Sequence, residues 1–182
     1  MNTKRRAVFL DRDGVINETI DRGEHFEVLG KKVRFSPPFF YHEFHLRDGV
    51  KEALERMGEL GYLRILVTNQ PDRAYGMITE EEYQKIMAVV AALPFDDIFV
   101  CPHTRYDNCA CKKPKPGMLL EAGKKWGIDF SRSYIIGDTK ADTEAGEAVG
   151  SKTVLIDYSY NKDLVSDIRV NGLLDAIPYL SL

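Results

Sequence analysis

Long apolar runs are absent from this chain of 182 residues. No stretch approaches the ~20 apolar residues that a membrane-spanning helix needs, so we expect no contact with a membrane. Residues 4–6 are basic, but Asp11 and Asp13 interrupt the apolar segment that follows too early for a signal peptide. We therefore expect a cytoplasmic protein.

A surplus of basic charge is also lacking. The formal net charge is -3, whereas proteins that bind nucleic acids usually carry a basic surplus, so no nucleic-acid partner is expected. Internal repeats, low-complexity segments and coiled-coil patterns are missing too, and a monomer is the default expectation. The length and the hydrophobic content of 44% suit one domain over residues 1–182.

Cysteine is scarce, and its three residues are confined to one short segment. Together with one histidine, they occupy positions Cys101, His103, Cys109 and Cys111. An odd, clustered set favours metal ligation over disulfides, and thiolates with imidazole suit a closed tetrahedral Zn²⁺ site. We predict structural zinc that braces the loop 101–114 and its side chains Lys112 and Lys113. The alternative is three reduced cysteines beside a surface histidine.

The apolar pattern alternates between strands and helices. Strands are predicted at 7–10, 63–67, 98–100, 134–136 and 153–156, with a short one near 168. Helices are predicted at 48–61, at 79–93 with Thr79 in an N-terminal capping box, and at 116–126 with Gly127 as its stop. Two more are predicted, one with Ala141, Ala145 and Ala148 on its buried face and one near 173–180. This alternation predicts an α/β fold in which a parallel sheet carries helices on both faces.

Polar side chains follow the predicted strands where each strand ends. They are Asp11 and Asp13, Thr68 and Asn69, Lys112 and Lys113 beyond the third strand, and Asp138 and Asp142. Ligands collect at the carboxyl ends of strands in open α/β sheets. Converging carboxylates repel one another unless a cation lies among them, and oxygen ligands favour Mg²⁺. A lysine and a hydroxyl group beside that cation would bind a phosphoryl group.

Two carboxylates separated by one residue can share the work of phosphoryl transfer. One of them can attack phosphorus and form an acyl phosphate. The other can protonate the leaving alcohol and then activate water. The plain alternative for residues 11–14 is a polar turn after a strand.

Four motifs resemble those of the haloacid-dehalogenase-like phosphatases. They are Asp-Arg-Asp-Gly at 11–14, Thr-Asn-Gln at 68–70, Lys-Pro at 113–114 and Gly-Asp-x-x-x-Asp at 137–142. More narrowly, segments 9–17, 101–103 and 109–119 resemble the subgroup that holds heptose bisphosphate phosphatases and histidinol-phosphate phosphatase domains. The resemblance runs from about residue 7 to 157. It implies a three-layer, Rossmann-like sheet with a minimal cap.

The same resemblance implies a role for each motif residue. Asp11 would be the nucleophile, and Asp13 would be the general acid and base. Asp11, Asp13 (through its backbone carbonyl) and Asp138 would hold Mg²⁺. Asp142 would be an occasional or outer ligand, or else a first-turn acid that the helix dipole stabilises. The phosphoryl group and the substrate would contact Thr68, Asn69, Gln70, Lys112 and Lys113.

The implied function is a Mg²⁺-dependent phosphatase for a small phosphorylated metabolite, with an aspartyl-phosphate intermediate. The first choice of substrate is the 7-phosphate of D-glycero-D-manno-heptose 1,7-bisphosphate. The alternatives are histidinol phosphate, another sugar phosphate or a nucleic-acid 3′-phosphate. A non-catalytic phosphate binder is less favoured, because a binder needs no Asp13. Three residues depart from the family pattern: Lys112, where Arg is common, and Arg73 and Tyr75.

Residues 18–45 form an unusually long connection, and such connections are uncommon unless they are functional. We predict an insertion after the first strand, with a small hairpin around 28–34. Its early part, 18–32, would border the leaving group as a partial lid, and its later Pro-Phe-rich part would anchor it to the core. The alternative is that residues 35–44 pack on the outside of the fold or in an oligomer interface.

Overall fold

The computed structural model describes residues 4–28 and 30–180. The strands are β1 (Ala7–Leu10), β2 (Ile20–Asp21), β3 (Glu27–Val28), β4 (Lys31–Lys32), β5 (Phe35–Ser36), β6 (Leu63–Asn69), β7 (Asp97–Cys101), β8 (Tyr134–Gly137), β9 (Lys152–Ile156) and β10 (Ile168–Val170). The helices are α1 (Val50–Glu59), α2 (Glu80–Ala91), α3 (Gly117–Trp126), α4 (Lys140–Val149) and α5 (Leu173–Leu180). Helices and strands alternate from α1 to β9, as the apolar pattern predicts, and β10 follows β9 without a helix between them.

Six strands form one parallel sheet in the order β10-β9-β8-β1-β6-β7. From the central strand β1, the chain first adds β6 and β7 on one side and then β8, β9 and β10 on the other. The direction of winding therefore reverses at β1, and the carboxyl end of β1 lies at the switch point where such sheets bind ligands. Asp11 immediately follows this strand end.

Helices cover both faces of the sheet. Side chains alternate across a strand, so Val8 and Leu10 join the core under α1, α2 and α5, whereas Ala7 and Phe9 join the core under α3 and α4. All four are fully buried, which explains the continuously apolar sequence of β1. Within the described ranges, no helix combines the length and apolar character needed to cross a membrane.

Helix ends follow the sequence signals in two cases and depart from them in one. Thr79 caps α2 by accepting a hydrogen bond from the Glu82 amide, and Gly127 ends α3 in the left-handed conformation. Helix α1 begins at Val50, two residues later than predicted. Gly49 precedes it with a φ of 74°, which is incompatible with a position inside a right-handed helix.

The insertion after β1 folds as a nested hairpin. Strand β2 pairs antiparallel with β5, and β3 pairs antiparallel with β4; we call residues 20–36 the flap. Arg22 connects the flap to the rest of the insertion, because it forms an ion pair of 2.6 Å with Glu43 and lies 4.6 Å above the Phe39 ring. Phe39 and Phe44 are buried, so the Pro-Phe-rich part anchors the insertion to the core.

Candidate active site

Lys113 lies between two carboxylates at the end of β1. Its Nζ atom is 3.0 Å from Asp11 Oδ1 and 2.5 Å from Asp142 Oδ1. Burial raises the pKa of Asp11 to about 6, although the Lys113 ammonium opposes this rise. Burial alone would lower the pKa of Lys113, but the carboxylates of Asp11 and Asp142 raise it above its ordinary value. Lys113 is therefore a fixed positive charge beside Asp11.

One carboxylate oxygen of Asp138 accepts no hydrogen bond from the residues that the structure describes. Its Oδ2 atom accepts a hydrogen bond from the Tyr160 hydroxyl, whereas the buried Oδ1 atom has no partner within the described part of the chain. Burial, followed by the charges of Asp142 and Asp11, raises the pKa of Asp138 well above its ordinary value.

The acidic cluster at this edge of the sheet fits a hard cation. One carboxylate oxygen from each of Asp11, Asp138 and Asp142 lies within 4.8 Å of the other two. A buried, unpartnered oxygen among like charges calls for a positive partner, and an all-oxygen donor set suits Mg²⁺. The residues present at this site are thus compatible with the predicted magnesium ion.

Asp142 is the third residue of α4 and caps that helix. Its Oδ2 atom accepts hydrogen bonds from the amide (3.1 Å) and the hydroxyl (2.6 Å) of Thr139, and its Oδ1 atom pairs with Lys113. Asp142 thus has the geometry of a first-turn helix acid, which is one of the two roles expected for it. A metal bound to Asp142 would contact oxygens that already accept hydrogen bonds.

Three side chains hold the Asp13 carboxylate. Arg12 Nη2 donates to Oδ1 at 2.9 Å, Asn17 Nδ2 donates to Oδ1 at 3.0 Å, and Gln70 Nε2 donates to Oδ2 at 2.7 Å. Gln70 also donates to the buried Thr68 hydroxyl at 3.1 Å, so Gln70 connects the second motif to the first. Sequence reasoning missed the contributions of Arg12 and Asn17, although both lie inside the segment that carries the resemblance.

A glycine between the two acidic strand ends allows their close approach. Gly14 has a φ of 80°, and a Cβ atom at this position would lie only 2.4 Å from Asp138 Oδ2. The Tyr158 hydroxyl donates to the Gly14 carbonyl at 3.0 Å. The loop after β1 therefore packs directly against Asp138, which no residue with a side chain permits without a shift.

Asn69 fixes the backbone of Lys113. Its Nδ2 atom donates to the Lys113 carbonyl at 3.0 Å, and its Oδ1 atom accepts from the Lys113 amide at 3.0 Å. Both polar ends of the Asn69 amide are thus engaged in positioning the lysine. The neighbouring Lys112 makes a different contact, because its Nζ atom donates to the His103 carbonyl at 3.3 Å.

A cavity of about 830 Å³ opens above these strand ends. Its lining includes Asp11, Asp13 and Asp138 on the floor and Thr19 with residues 32–37 on one wall. The segment that borders the cavity thus lies mostly later in the insertion than the predicted 18–32. Phe35 of the flap packs on Tyr160, with ring centroids 4.9 Å apart.

The three cysteines and His103 form a separate compact cluster at the carboxyl end of β7. The distances from Cys101 Sγ are 3.6 Å to His103 Nδ1, 3.6 Å to Cys109 Sγ and 3.1 Å to Cys111 Sγ. All three thiols are free of disulfides. Zinc–sulfur bonds of about 2.3 Å in a tetrahedron place sulfur atoms about 3.8 Å apart, so the cluster is close to the size of a zinc shell.

Comparison with known proteins decides the family. The family model for haloacid dehalogenase-like hydrolases, described as "Hydrolase", matches residues 18–150, which is more than half of the chain. The chain belongs to the haloacid dehalogenase-like hydrolases. The family predicted from the four motifs is confirmed.

Relatives that span almost the whole chain carry the name of one phosphatase. The D-glycero-beta-D-manno-heptose-1,7-bisphosphate 7-phosphatase of Helicobacter pylori strain J99 is 36% identical over 188 residues, which cover 99% of each chain. The protein of the same name from Haemophilus ducreyi is 31% identical over 195 residues, covering 97% of this chain and 99% of its own. Both names agree with the predicted enzyme class.

Solved structures confirm the fold class. The D,D-heptose 1.7-bisphosphate phosphatase from B. bronchiseptica, complexed with magnesium and phosphate, has a TM-score of 0.77 and 24% identity, covering 96% of this chain and 97% of its own. A putative had-like phosphatase from Mesorhizobium loti has a TM-score of 0.73 and 26% identity, covering 99% and 89%. The α/β sheet with helices on both faces is thus that of the haloacid dehalogenase-like fold.

The structure brings the predicted residues of this hydrolase together in two places. The first holds Asp11, Asp13, Thr68, Asn69, Gln70, Lys113, Asp138 and Asp142 at the carboxyl edge of the sheet. The second holds the cysteine and histidine cluster, and Lys112 lies between that cluster and the cavity. Tyr160 was missed, because no motif marks the loop after β9.

Proposed function

We propose that this chain is a Mg²⁺-dependent phosphatase that removes the 7-phosphate of D-glycero-β-D-manno-heptose 1,7-bisphosphate. The observation that carries the proposal is the placement of Asp11 beside Lys113 and the unpartnered oxygen of Asp138 on the floor of one cavity. The names of the relatives support the substrate. The proposal includes a single catalytic domain, a monomer and a cytoplasmic location.

The metal would be held by the carboxylates of Asp11 and Asp138 and by the Asp13 backbone carbonyl. When bound, Mg²⁺ supplies positive charge that offsets the carboxylates and the phosphoryl oxygens. Lys113 adds a second fixed positive charge at the same edge, and Thr68 adds a hydroxyl donor. The cysteine cluster would hold structural Zn²⁺ and support the loop on which Lys113 lies.

The reaction divides into two displacements at phosphorus. In the first, an Asp11 oxygen attacks phosphorus, the bond to the sugar oxygen breaks, and Asp13 protonates that oxygen. In the second, water attacks phosphorus while Asp13 accepts its proton, and the bond between the Asp11 oxygen and phosphorus breaks, which regenerates the Asp11 carboxylate and releases inorganic phosphate. Arg12, Asn17 and Gln70 hold Asp13 in place for both proton transfers.

The charges beyond the reaction centre favour a bisphosphate over histidinol phosphate. Beyond Asp11, Asp13 and Asp138, the cavity lining holds three cations, Lys32, Arg34 and Lys112, against one carboxylate, Asp72. A second phosphate on the leaving group would be attracted by these cations, whereas the ammonium group of histidinol would be repelled. Arg34 is partly neutralised by its ion pair with Asp21, so Lys32 and Lys112 supply most of this selection.

A substrate panel tests the proposed activity. We expect kcat/KM for the heptose bisphosphate to exceed that for histidinol phosphate and for a DNA 3′-phosphate by at least about 100-fold. Hydrolysis should stop when Mg²⁺ is chelated by EDTA and return when it is added back. A preference for histidinol phosphate would refute the substrate. Tight phosphate binding without turnover would instead indicate a non-catalytic binder.

The flap gives a second prediction. Replacing residues 24–32 by a short Gly-Ser link removes the outer half of the flap, including Lys32, and leaves the pairing of β2 with β5. We expect KM for the sugar phosphate to rise about tenfold, because a binding wall is lost. The rate with p-nitrophenyl phosphate, which needs little recognition, should change little.

The control for this replacement is Phe40→Ala, since Phe40 is half exposed and lies outside the cavity lining. Steady-state kinetics of the three proteins with both substrates measure the effect. If the flap replacement leaves the ranking of substrates unchanged, the flap is scaffold and the lid hypothesis is wrong.

A further inference from the structure

We infer that Asp72 is a specificity-determining residue that accepts hydrogen bonds from hydroxyl groups of the leaving group. This inference deepens the proposed function and rests on it. Asp72 lies in the loop after β6 and lines the same cavity as Asp11 and Asp13. Asp72 belongs to none of the four motifs, although it stands between the second motif and the departures at Arg73 and Tyr75.

The backbone of this loop is tightly turned. The Tyr75 amide donates to the Pro71 carbonyl at 3.0 Å, and the Met77 amide donates to the Asp72 carbonyl at 2.9 Å. Pro71 directly follows Gln70, whose side chain donates a hydrogen bond to the Asp13 carboxylate. The position of Asp72 relative to the reaction centre is thus set by short backbone connections.

Arg73 ties the loop to α2. Its Nη1 atom pairs with Glu80 at 2.6 Å, and its guanidinium lies 4.0 Å above the Tyr83 ring. A cation over an aromatic face adds to the ion pair. Arg73, which departs from the family pattern, therefore has a bracing role in this chain.

Tyr75, the other departure, ties the loop to the cysteine-bearing loop. Its hydroxyl oxygen accepts a hydrogen bond from the Arg105 amide at 2.8 Å. The loop is thus held on both sides, by Arg73 and by Tyr75. A side chain held on a braced loop loses little freedom on binding a ligand, which favours a recognition role.

The Asp72 carboxylate is available to a ligand. No other residue in the described part of the chain donates a hydrogen bond to it or forms an ion pair with it. An ionised carboxylate can only accept hydrogen bonds, so it matches the hydroxyl groups of a polyol and repels a second phosphate. Lys32 and Lys112 line the same cavity. Asp72 and these lysines would together fix which end of a sugar bisphosphate reaches Asp11.

Two variants test the role of Asp72. In Asp72→Asn and Asp72→Ala, we expect kcat/KM for the preferred sugar phosphate to fall about tenfold or more, mainly through KM, because a charged acceptor is lost. With p-nitrophenyl phosphate, whose leaving group has no additional hydroxyl group, kcat/KM should change less than about threefold. Asp72→Glu should restore part of the loss, since it keeps the charge.

The matched control is Asp163→Asn, an exposed acid outside the cavity lining, which should behave as wild type with both substrates. An equal loss with both substrates would contradict the inference, because it would place the effect at Asp13 or in the fold. No loss in either variant would also contradict it, as would a wild-type enzyme that prefers no sugar phosphate over p-nitrophenyl phosphate. Failure to hydrolyse any phosphate ester with Mg²⁺ would refute the proposed function itself.

Discussion

Asp11→Asn is expected to lose at least about 99% of turnover, a barrier increase of about 2.7 kcal/mol or more. The amide cannot act as the anionic nucleophile that attacks phosphorus. The fold should persist, because asparagine has nearly the same shape and Lys113 keeps its partner Asp142. The measurement is kcat of the purified variant with saturating Mg²⁺, together with its thermal unfolding midpoint.

Two further variants complete this experiment. Asp13→Asn should also be severely impaired, most of all with leaving groups that need protonation. Asp163→Asn is the matched control and should keep wild-type activity, because its side chain is exposed outside the cavity. If Asp11→Asn retains more than about one hundredth of wild-type turnover, covalent catalysis through Asp11 is wrong for this chain.

The second large effect concerns zinc. Protein purified without added metal should contain about one equivalent of zinc per chain, held by the cysteine cluster. Cys101 is fully buried within the cluster, so Cys101→Ser should release the metal and lower the unfolding midpoint by about 10 °C. Turnover should fall as well, because the same loop carries Lys113.

Elemental analysis and thermal unfolding measure this effect. His103→Ala should lose zinc like the cysteine variant, whereas His25→Ala is the matched control, since His25 is exposed and lies outside the cluster. Less than about half an equivalent of zinc in the wild type, with all three thiols reacting freely, would contradict the zinc site.

The fold was largely predictable because the inner strands of the parallel sheet are buried on both faces. A strand such as β1 is continuously apolar and is followed at once by carboxylates, which marks both its course and its functional end. Local capping signals such as Thr79 and Gly127 were equally readable. Each of these features depends on residues that are adjacent along the chain, so the sequence alone reveals them.

The contacts that position the site depend on distant residues, and the sequence does not display them. The reciprocal hydrogen bonds between Asn69 and Lys113 join positions 44 residues apart, and the family resemblance implies only a substrate contact for Asn69. Tyr160 reaches Asp138 only because β8 and β9 are neighbours in the sheet. Neither residue type nor spacing signals these pairings.

The insertion shows the same limit. Its length and aromatic content predicted a functional element, but not which residues would face the cavity. Phe39 is buried, whereas the adjacent Phe40 is about half exposed, so aromatic content alone does not identify the anchor. Residues 32–37 line the cavity because β2 pairs with β5. Both strands are too short to show an alternating apolar pattern in the sequence.

The most direct test of the proposed activity is ³¹P NMR of D-glycero-β-D-manno-heptose 1,7-bisphosphate during incubation with the protein and Mg²⁺. We predict that the 7-phosphate signal disappears, that inorganic phosphate appears in equal amount, and that the 1-phosphate signal remains. Asp11→Asn should leave the spectrum unchanged. Release of the 1-phosphate, or no release by the wild-type protein, would contradict the proposed activity.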